Sequence, residues 1–534
     1  MMDKPASSPF KKAVRRMGKI LVWLIVLLAA FLLIERFRGQ IALENFKRKL
    51  LAKGEKLSPE DFKVTVNQTD NGAPAAIAAI RNIESGMVLP LNTPPRRRIL
   101  ASGRAIVGFR ESEWIESGGY KNGEWKDGLT TNDWKQIASD LKTNETLLVE
   151  ICAALENPVL RNDVDLSQGL KLRFDWLTPA KSSTHWLGSA SELALHDGRN
   201  EDAARWLEKQ VQLQRLLADD PVVISHLVRF AMSSIALADT WEAMQAGGWR
   251  DNQLAAIQKA WERQHSSADL SFGMEGERIY CSKVDEQLRE SNEETYNLLF
   301  GPFSKMLSAF TGDENASWGS DTEETSPVLE EVINLLRKQV YCRIWRFSWS
   351  HQAELREQRG LQRLIELVRD GVKQKSNQGI ETDVEMLVSE MGDKNFYDRL
   401  RYPEPDSPIT LSRTLFRAMK SETARSMAIA AIAIKRHALR HGSPPESLGA
   451  LVPAFLVEVP VDFMDGKPIR YRRNEDGTFM LYSVGEDGKD GGGDLAYSKK
   501  GSSSSDLWAR RDYVWPAPAT PDEVEDYRKE SRTN

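Results

Sequence analysis

The chain has 534 residues, a net charge of −5 and a pI near 6.0, so its charge balance argues against a polyanion-binding surface, and nucleic acid is not an expected partner. With 41% hydrophobic and 28% charged residues and 15 tryptophans, the sequence is globular rather than disordered, with length for about two to four domains. Its three cysteines, Cys152, Cys281 and Cys342, lie far apart; they exclude a disulfide framework or CxxC metal site, allow at most one bridge, and read most simply as buried thiols.

Residues 1–17 form a short basic tail, and an anchor over 18–37 is built around Ile20–Ile34, "ILVWLIVLLAAFLLI". At the helical rise that run spans about 22 Å, against a hydrocarbon core of roughly 30 Å; snorkelling Lys19 and Arg36 and the flanking apolar residues close the gap. A cleaved secretory signal is the rival, but no small-x-small site follows, and the helical "ERFRGQIALENFKRKLLAKGEKL" continues directly. No polar residue alternates with the apolar ones, as it would in a core helix. Lys4, Lys11, Lys12, Arg15, Arg16 and Lys19 precede the run, and Arg36, Arg38, Lys47, Arg48, Lys49 and Lys53 follow it, so the positive-inside rule is nearly silent on orientation.

Residues 38–130 are expected to be a helix and a loop-rich spacer with a little strand, "LPLNTPPRRR" marking an extended break. An α-helical body is expected over 131–400. In "NDWKQIASDLKTNETLLVEICAALENP", Trp134, Ile137, Leu141, Leu147, Leu148, Ile151 and Leu155 recur at helical spacing. Further helices are predicted at about 180–197, 201–218, 221–246, 250–265 and 268–299, in the manner of antiparallel helical hairpins such as tetratricopeptide units, although no second copy recurs at a fixed period. Ser326 and Pro327 start a helix that runs to about Lys373, within which Trp345, Phe347 and Trp349 are packing residues rather than a ligand cage.

No GxSxG, HExxH, Walker or GxGxxG motif occurs in a fitting context. Ser139 and Lys142 match SxxK, but sit on an amphipathic helix. His437 and His441 share a helical face and could pair on a metal; alternatively His441 simply ends a helix before a Gly442 cap.

A C-terminal α+β module is expected over 408–500. A long helix, Leu411–His441, carries an apolar stripe and ends in "HG"; a short helix lies near Pro445–Val452, and a hairpin turns at "NEDG". "FMLYSVGEDGKDGGGDL" follows, where glycines permit tight reversal and aspartates supply hard oxygen ligands, so Asp487, Asp490 and Asp494 could converge on calcium; the alternative is a solvated Asp-Gly turn. The long Ala-rich helix, "VPVDFMDGKPIRY" and "FMLYSVGEDGKDGG", in this order over about 411–495, resemble the globular head of the type II secretion major pseudopilin. The resemblance implies calcium at Asp487 and Asp494, with carbonyls near Ser483 and Val484 completing the shell. The chain departs from that family at its start: the apolar run opens "KILVWLIV", with Glu35 at its far end, and nearly four hundred residues separate anchor from head, which implies no processing or polymerisation as a pilus subunit.

Residues 501–534 open with a serine linker; Trp508 and Trp515 are expected to dock on the head, with disorder beyond Pro516. The fold class is therefore mainly α: an N-terminal transmembrane helix, a large helical hairpin-array body and a small pilin-like module with an antiparallel sheet. The expected function is non-enzymatic, an inner-membrane, single-pass envelope protein with its body exported, contacting other envelope proteins and linked to secretion or pilus-type machinery. The competing expectation is an exported hydrolase-type enzyme with its site in the helical body.

Overall fold

The computed structural model describes residues 9–63, 67–83, 96–100, 103–121, 124–301, 327–392, 394–403, 407–498 and 507–533. The first eight residues, most of "LPLNTPPRRR" and the serine linker lie outside the described residues.

Helix α1 (Pro9–Ala52) is followed by α2 (Ala73–Asn82), strands β1 (Arg98–Ile99) and β2 (Arg104–Ile106), and the hairpin of β3 (Glu113–Lys121) and β4 (Glu124–Asp133). Helices then dominate: α3 (Trp134–Thr143), α4 (Glu145–Ala154), α5 (Leu177–His196), α6 (Asn200–Leu213), α7 (Val223–Gln245), α8 (Asp251–Glu262), α9 (Ser266–Glu290) and α10 (Asn292–Phe300). Next, α11 (Pro327–Leu336) passes through two π-helical turns, Arg337–Tyr341 and Trp345–Trp349, into α12 (Ser350–Gln374). The chain continues with α13 (Ile380–Gly392), α14 (Phe396–Arg401) and α15 (Ser407–His441). Short strands β5 (Val461–Asp462), β6 (Lys467–Pro468), β7 (Arg470–Arg473), β8 (Phe479–Ser483), β9 (Tyr513–Val514) and β10 (Ala517–Pro518) precede α16 (Pro521–Thr533).

Among the described residues α1 is the one helix long and apolar enough to cross a membrane, and its apolar run is exposed, Trp23 at 67% and Leu27 at 62%. Its second half is different. Glu35, Gly39, Leu43 and Leu50 are buried along one stripe that packs on α12. Gly39 sits at the crossing: a Cβ there would lie 2.7 Å from Cγ of Gln352, so only glycine lets the two helices approach this closely.

In the body, α5 packs on both α6 and α7, and α6 on α8, with helix limits within about five residues of the predicted ones, except that the helix expected at 268–299 is broken at Ser291, whose extended backbone caps α10. Helix α3 shows why periodicity served well here. Asp133 caps it by accepting from the Gln136 amide at 3.0 Å, Trp134, Ile137 and Leu141 are buried, and Ser139 and Lys142 face solvent.

One hydrophobic core runs from α2 through α8 into α15 and on to Leu481, Tyr513 and Trp515, so the helical body and the C-terminal module share an interior. Trp241 Nε1 donates to the Pro516 carbonyl at 2.9 Å and Gln258 Nε2 to that of Phe455 at 2.7 Å. From Met427 to Ile434, α15 is buried all round, its alanines letting neighbours close in. Truncating Ile432 or Ile434 to Ala there would cost about 2–5 kcal/mol each.

Small sheets complete the fold. β7, β8 and β9 form an antiparallel sheet with Tyr471 opposite Leu481 and Tyr482 opposite Val514. The "NEDG" turn forms as expected, Asn474 N donating to the Thr478 carbonyl at 2.9 Å. The expectation of disorder beyond Pro516 is corrected. β10 pairs in parallel with β2, and α16 is closed by a capping box in which the Thr520 amide donates to Glu523 at 2.7 Å and the Glu523 amide to Thr520 Oγ1 at 3.3 Å. Arg528 then reaches Glu111 at 2.6 Å. Trp515 is buried, and Trp508 stacks on Tyr513 with ring centroids 4.3 Å apart.

Candidate functional site

The acidic glycine loop follows β8. Gly485, Gly488, Gly492 and Gly493 all have positive φ, and at Gly485 a Cβ would also strike the carbonyl oxygen of Arg511, so both backbone angle and space require glycine there. What closes the loop is Asp512, fully buried and more than a dozen residues downstream. Its carboxylate accepts from the amides of Gly491 (3.3 Å), Gly493 (2.8 Å) and Asp494 (2.6 Å).

The three aspartates predicted to bind calcium are each engaged with protein donors. Asp487 accepts from the Lys489 amide at 3.0 Å in its own turn. Asp490 accepts from the Gly492 amide (3.0 Å), from Tyr482 Oη (3.0 Å) and from Arg470 Nε (3.4 Å). Asp494 accepts from the Ala496 amide (2.9 Å) and Arg511 (3.0 Å). Ser483 Oγ and the Val484 amide donate to Asp462 at 2.9 and 3.0 Å. Asp462 is a hub that sequence reasoning missed. It is fully buried, also accepts from the Met464 amide at 3.0 Å, and burial pushes its carboxyl pKa up. Arg470 binds Asp462 (3.1 Å), Asp465 (2.9 Å) and Asp490 together, so a guanidinium occupies the centre of the carboxylates. Among the described residues no three acidic, histidine or cysteine side chains are placed to hold a metal ion.

His437 and His441 stay side by side, their ring centroids 4.4 Å apart. His437 Nδ1 pairs with the Ser443 carbonyl at 2.9 Å, and the rings of His437 and His441 both pack edge-on to Phe455, while Gly442 at φ 79° caps the helix. Trp345 and Trp349 are buried; Phe347 is 42% exposed and lies under the Arg36 guanidinium, 4.9 Å from its ring centre. Cys281 and Cys342 are buried free thiols and Cys152 is half-buried.

In the helical body the strongest electrostatic feature is a buried acidic group. Arg96 lies between Glu192 (2.9 Å) and Asp239 (3.0 Å), and donates to Ser189 Oγ at 2.6 Å. Glu242 accepts from the amides of Arg97 (2.7 Å) and Gly108 (3.0 Å), and burial pushes its carboxyl up to about 7. All three carboxylates are almost inaccessible, so their perturbation follows from burial around Arg96 rather than from exposure to a substrate.

Just past the apolar run of α1, Glu35 forms a clamp. Its carboxylate accepts from Gln352 Nε2 (2.9 Å) and Tyr397 Oη (3.0 Å) and pairs with Arg38 (3.0 Å). Ser348 Oγ donates to the Leu32 carbonyl at 2.9 Å one turn earlier. No family model, curated protein or solved structure matches the chain.

Proposed function

We propose that this chain is a single-pass membrane protein of the cell envelope that works by protein–protein contact rather than catalysis. Its hairpin-array body and pilin-like C-terminal module sit on the exported face of the inner membrane, in contact with secretion or pilus-type machinery. One observation carries the reading: the apolar helix does not end in a flexible linker but continues into the body, where Glu35 is buried and held by Gln352 and Tyr397. A folded platform fixed at the bilayer surface is what such continuity provides.

Calcium at Asp487, Asp490 and Asp494, with carbonyls of Ser483 and Val484, belongs to the same proposal. Glycine-permitted reversal and three nearby aspartates support it; assembly of the shell requires Asp490 to release Arg470 and Asp494 to release Arg511.

The test is topology and contact mapping on the full chain in cells. Alkaline phosphatase fused after residue 533 should be active and a fluorescent protein there dark; the reverse pattern overturns the assignment. Photo-crosslinking from Val457, 89% exposed on the C-terminal module, should give discrete adducts with envelope proteins, and absence of adducts refutes the contact role.

A further inference from the structure

Where α1 leaves its apolar run, a cavity of about 630 Å³ opens between α1, α12, α13 and the end of α14. Its α1 wall is Arg38, Gly39 and Ala42, of which Gly39 and Ala42 are small. Arg38 is four residues past Ile34, about 6 Å along the axis, which is headgroup depth when the apolar run lies in hydrocarbon. The facing wall presents Arg356, Arg359 and Arg363, at helical spacing on α12.

Five arginines line the cavity against two carboxylates, Asp383 and Glu390. They are not equally committed. Arg401 is held by Asp398 (2.6 Å) and Gln352 (2.8 Å), and Arg356 donates to the Met391 carbonyl with its guanidinium 4.7 Å from the Tyr402 ring centre. Arg38 pairs with Glu35 but keeps 63% of its side chain exposed. Arg363 has Asp383 only at 3.9 Å. Arg359 is exposed over the Phe46 ring at 5.8 Å and, among the described residues, has no carboxylate partner. Leu387 and Met391 are buried at the same wall and Met386 is half-exposed, so cationic and apolar surface meet there.

We infer that this cavity binds the phosphate headgroup of an anionic phospholipid in the leaflet on the body's side, with Arg359 and Arg363 supplying the bidentate donors and Met386 meeting the start of the acyl chains. This rests on the reading that α1 spans the membrane. A free phosphate ester would share the arginine chemistry but not the need for the apolar wall or the bilayer-level position.

The full-length protein in a neutral maltoside detergent is titrated with dioctanoyl phosphatidylglycerol, dioctanoyl phosphatidylcholine and inorganic phosphate, following thermal stability and native mass. The anionic lipid is expected to bind at least tenfold more tightly than either control, and R359A/R363A to lose that preference while melting as wild type does without lipid. R359K/R363K keeps charge without the fork and should fall between. Equal binding of both lipids, or a preference that survives R359A/R363A, overturns the site; inorganic phosphate binding as tightly as phosphatidylglycerol overturns the lipid assignment. Flotation of the same protein with phosphatidylcholine-only vesicles tests the anchor separately: failure to float refutes the span whatever the titration shows.

Discussion

Replacing Asp512 by Ala should release the glycine loop from the rest of the module. The carboxylate is fully buried and accepts three backbone amides, those of Gly491, Gly493 and Asp494. Charge-assisted bonds of this kind contribute roughly 1.5–3 kcal/mol each where donors stay dry. Gly491 and Gly492 are exposed, so water rehydrates part of the freed backbone, and the expected loss is about 3 kcal/mol rather than the full sum. D512N keeps the shape but turns an NH₂ toward at least one amide, and should lose nearly as much. The assay is amide hydrogen exchange of residues 491–494 in the full-length protein, beside chemical denaturation. Exchange at these amides should accelerate by about a hundredfold in D512A, the rate change that corresponds to roughly 3 kcal/mol of local opening. Unchanged protection of 491–494 in D512A would refute the claim that this buried carboxylate closes the loop, and calcium-dependent protection there would show that an ion does it instead.

Three further outcomes are expected. Burial pushes the Asp220 carboxyl from 3.8 up to about 6, so between those values the folded protein keeps a proton that the unfolded chain has released; stability therefore falls as pH rises through that window, by about 3 kcal/mol, and is flat above it. Denaturation midpoints of D220N against wild type at pH 4 and pH 7 should lack that decline, and an equal decline in both would refute it. E35A leaves Tyr397 Oη without its acceptor and Gln352 Nε2 with only the backbone carbonyl of residue 35, and should cost about 2 kcal/mol, seen as faster hydrogen exchange in α14 and in residues 35–45; exchange at the wild-type rate would show the clamp to be idle. R470Q leaves Asp462, Asp465 and Asp490 without their shared cation, so it should melt below wild type and recover with millimolar calcium more than wild type gains; an equal calcium effect on both would place the ion elsewhere.

The parts legible in the sequence are those set by local rules. Helices between Leu177 and Phe300 came from apolar spacing, the β7–β8 hairpin from alternation around "NEDG", and the end of α15 from Gly442. What stayed hidden depended on residues brought together from a distance. The docking stripe on α1 runs through Glu35 and Gly39 before it reaches Leu43, so a search for apolar periodicity passes over it. Asp512 lies beyond the serine linker, between the two tryptophans expected to dock on the head, and no local pattern shows that it organises the loop nearly twenty residues upstream. "TPDE" at Thr520–Glu523 has the spacing of a capping box, a local signal for the helix that follows it. Arg470, on a strand with alternating arginines, reads as solvated; the structure turns it inward onto three carboxylates.

The anchor's attachment has a geometric consequence. Besides Glu35, Lys47 pairs with fully buried Glu354 at 2.7 Å, where Arg289 also lies at 2.7 Å, and just past the helix Glu55 pairs with Arg369 at 2.6 Å. The Arg369 hydrogen bond is the main reason that the Glu55 carboxyl is held down at about 2. These three points extend over twenty residues, roughly 30 Å of chain if helical throughout. Buried pairs of this kind add little stability over apolar packing, but breaking one strands a charge at a cost of about 3–5 kcal/mol. Sliding α1 by one turn, about 5.4 Å, would part Glu35 from Gln352 and Tyr397 and Glu55 from Arg369, leave Glu354 with Arg289 alone, and bring a residue with a Cβ against Gln352 where Gly39 now sits. Only one register avoids that combined penalty, so the body is held at a single height and rotation against α1, and the arginine-lined cavity beside Arg38 keeps a fixed distance from the apolar run rather than swinging on a tether.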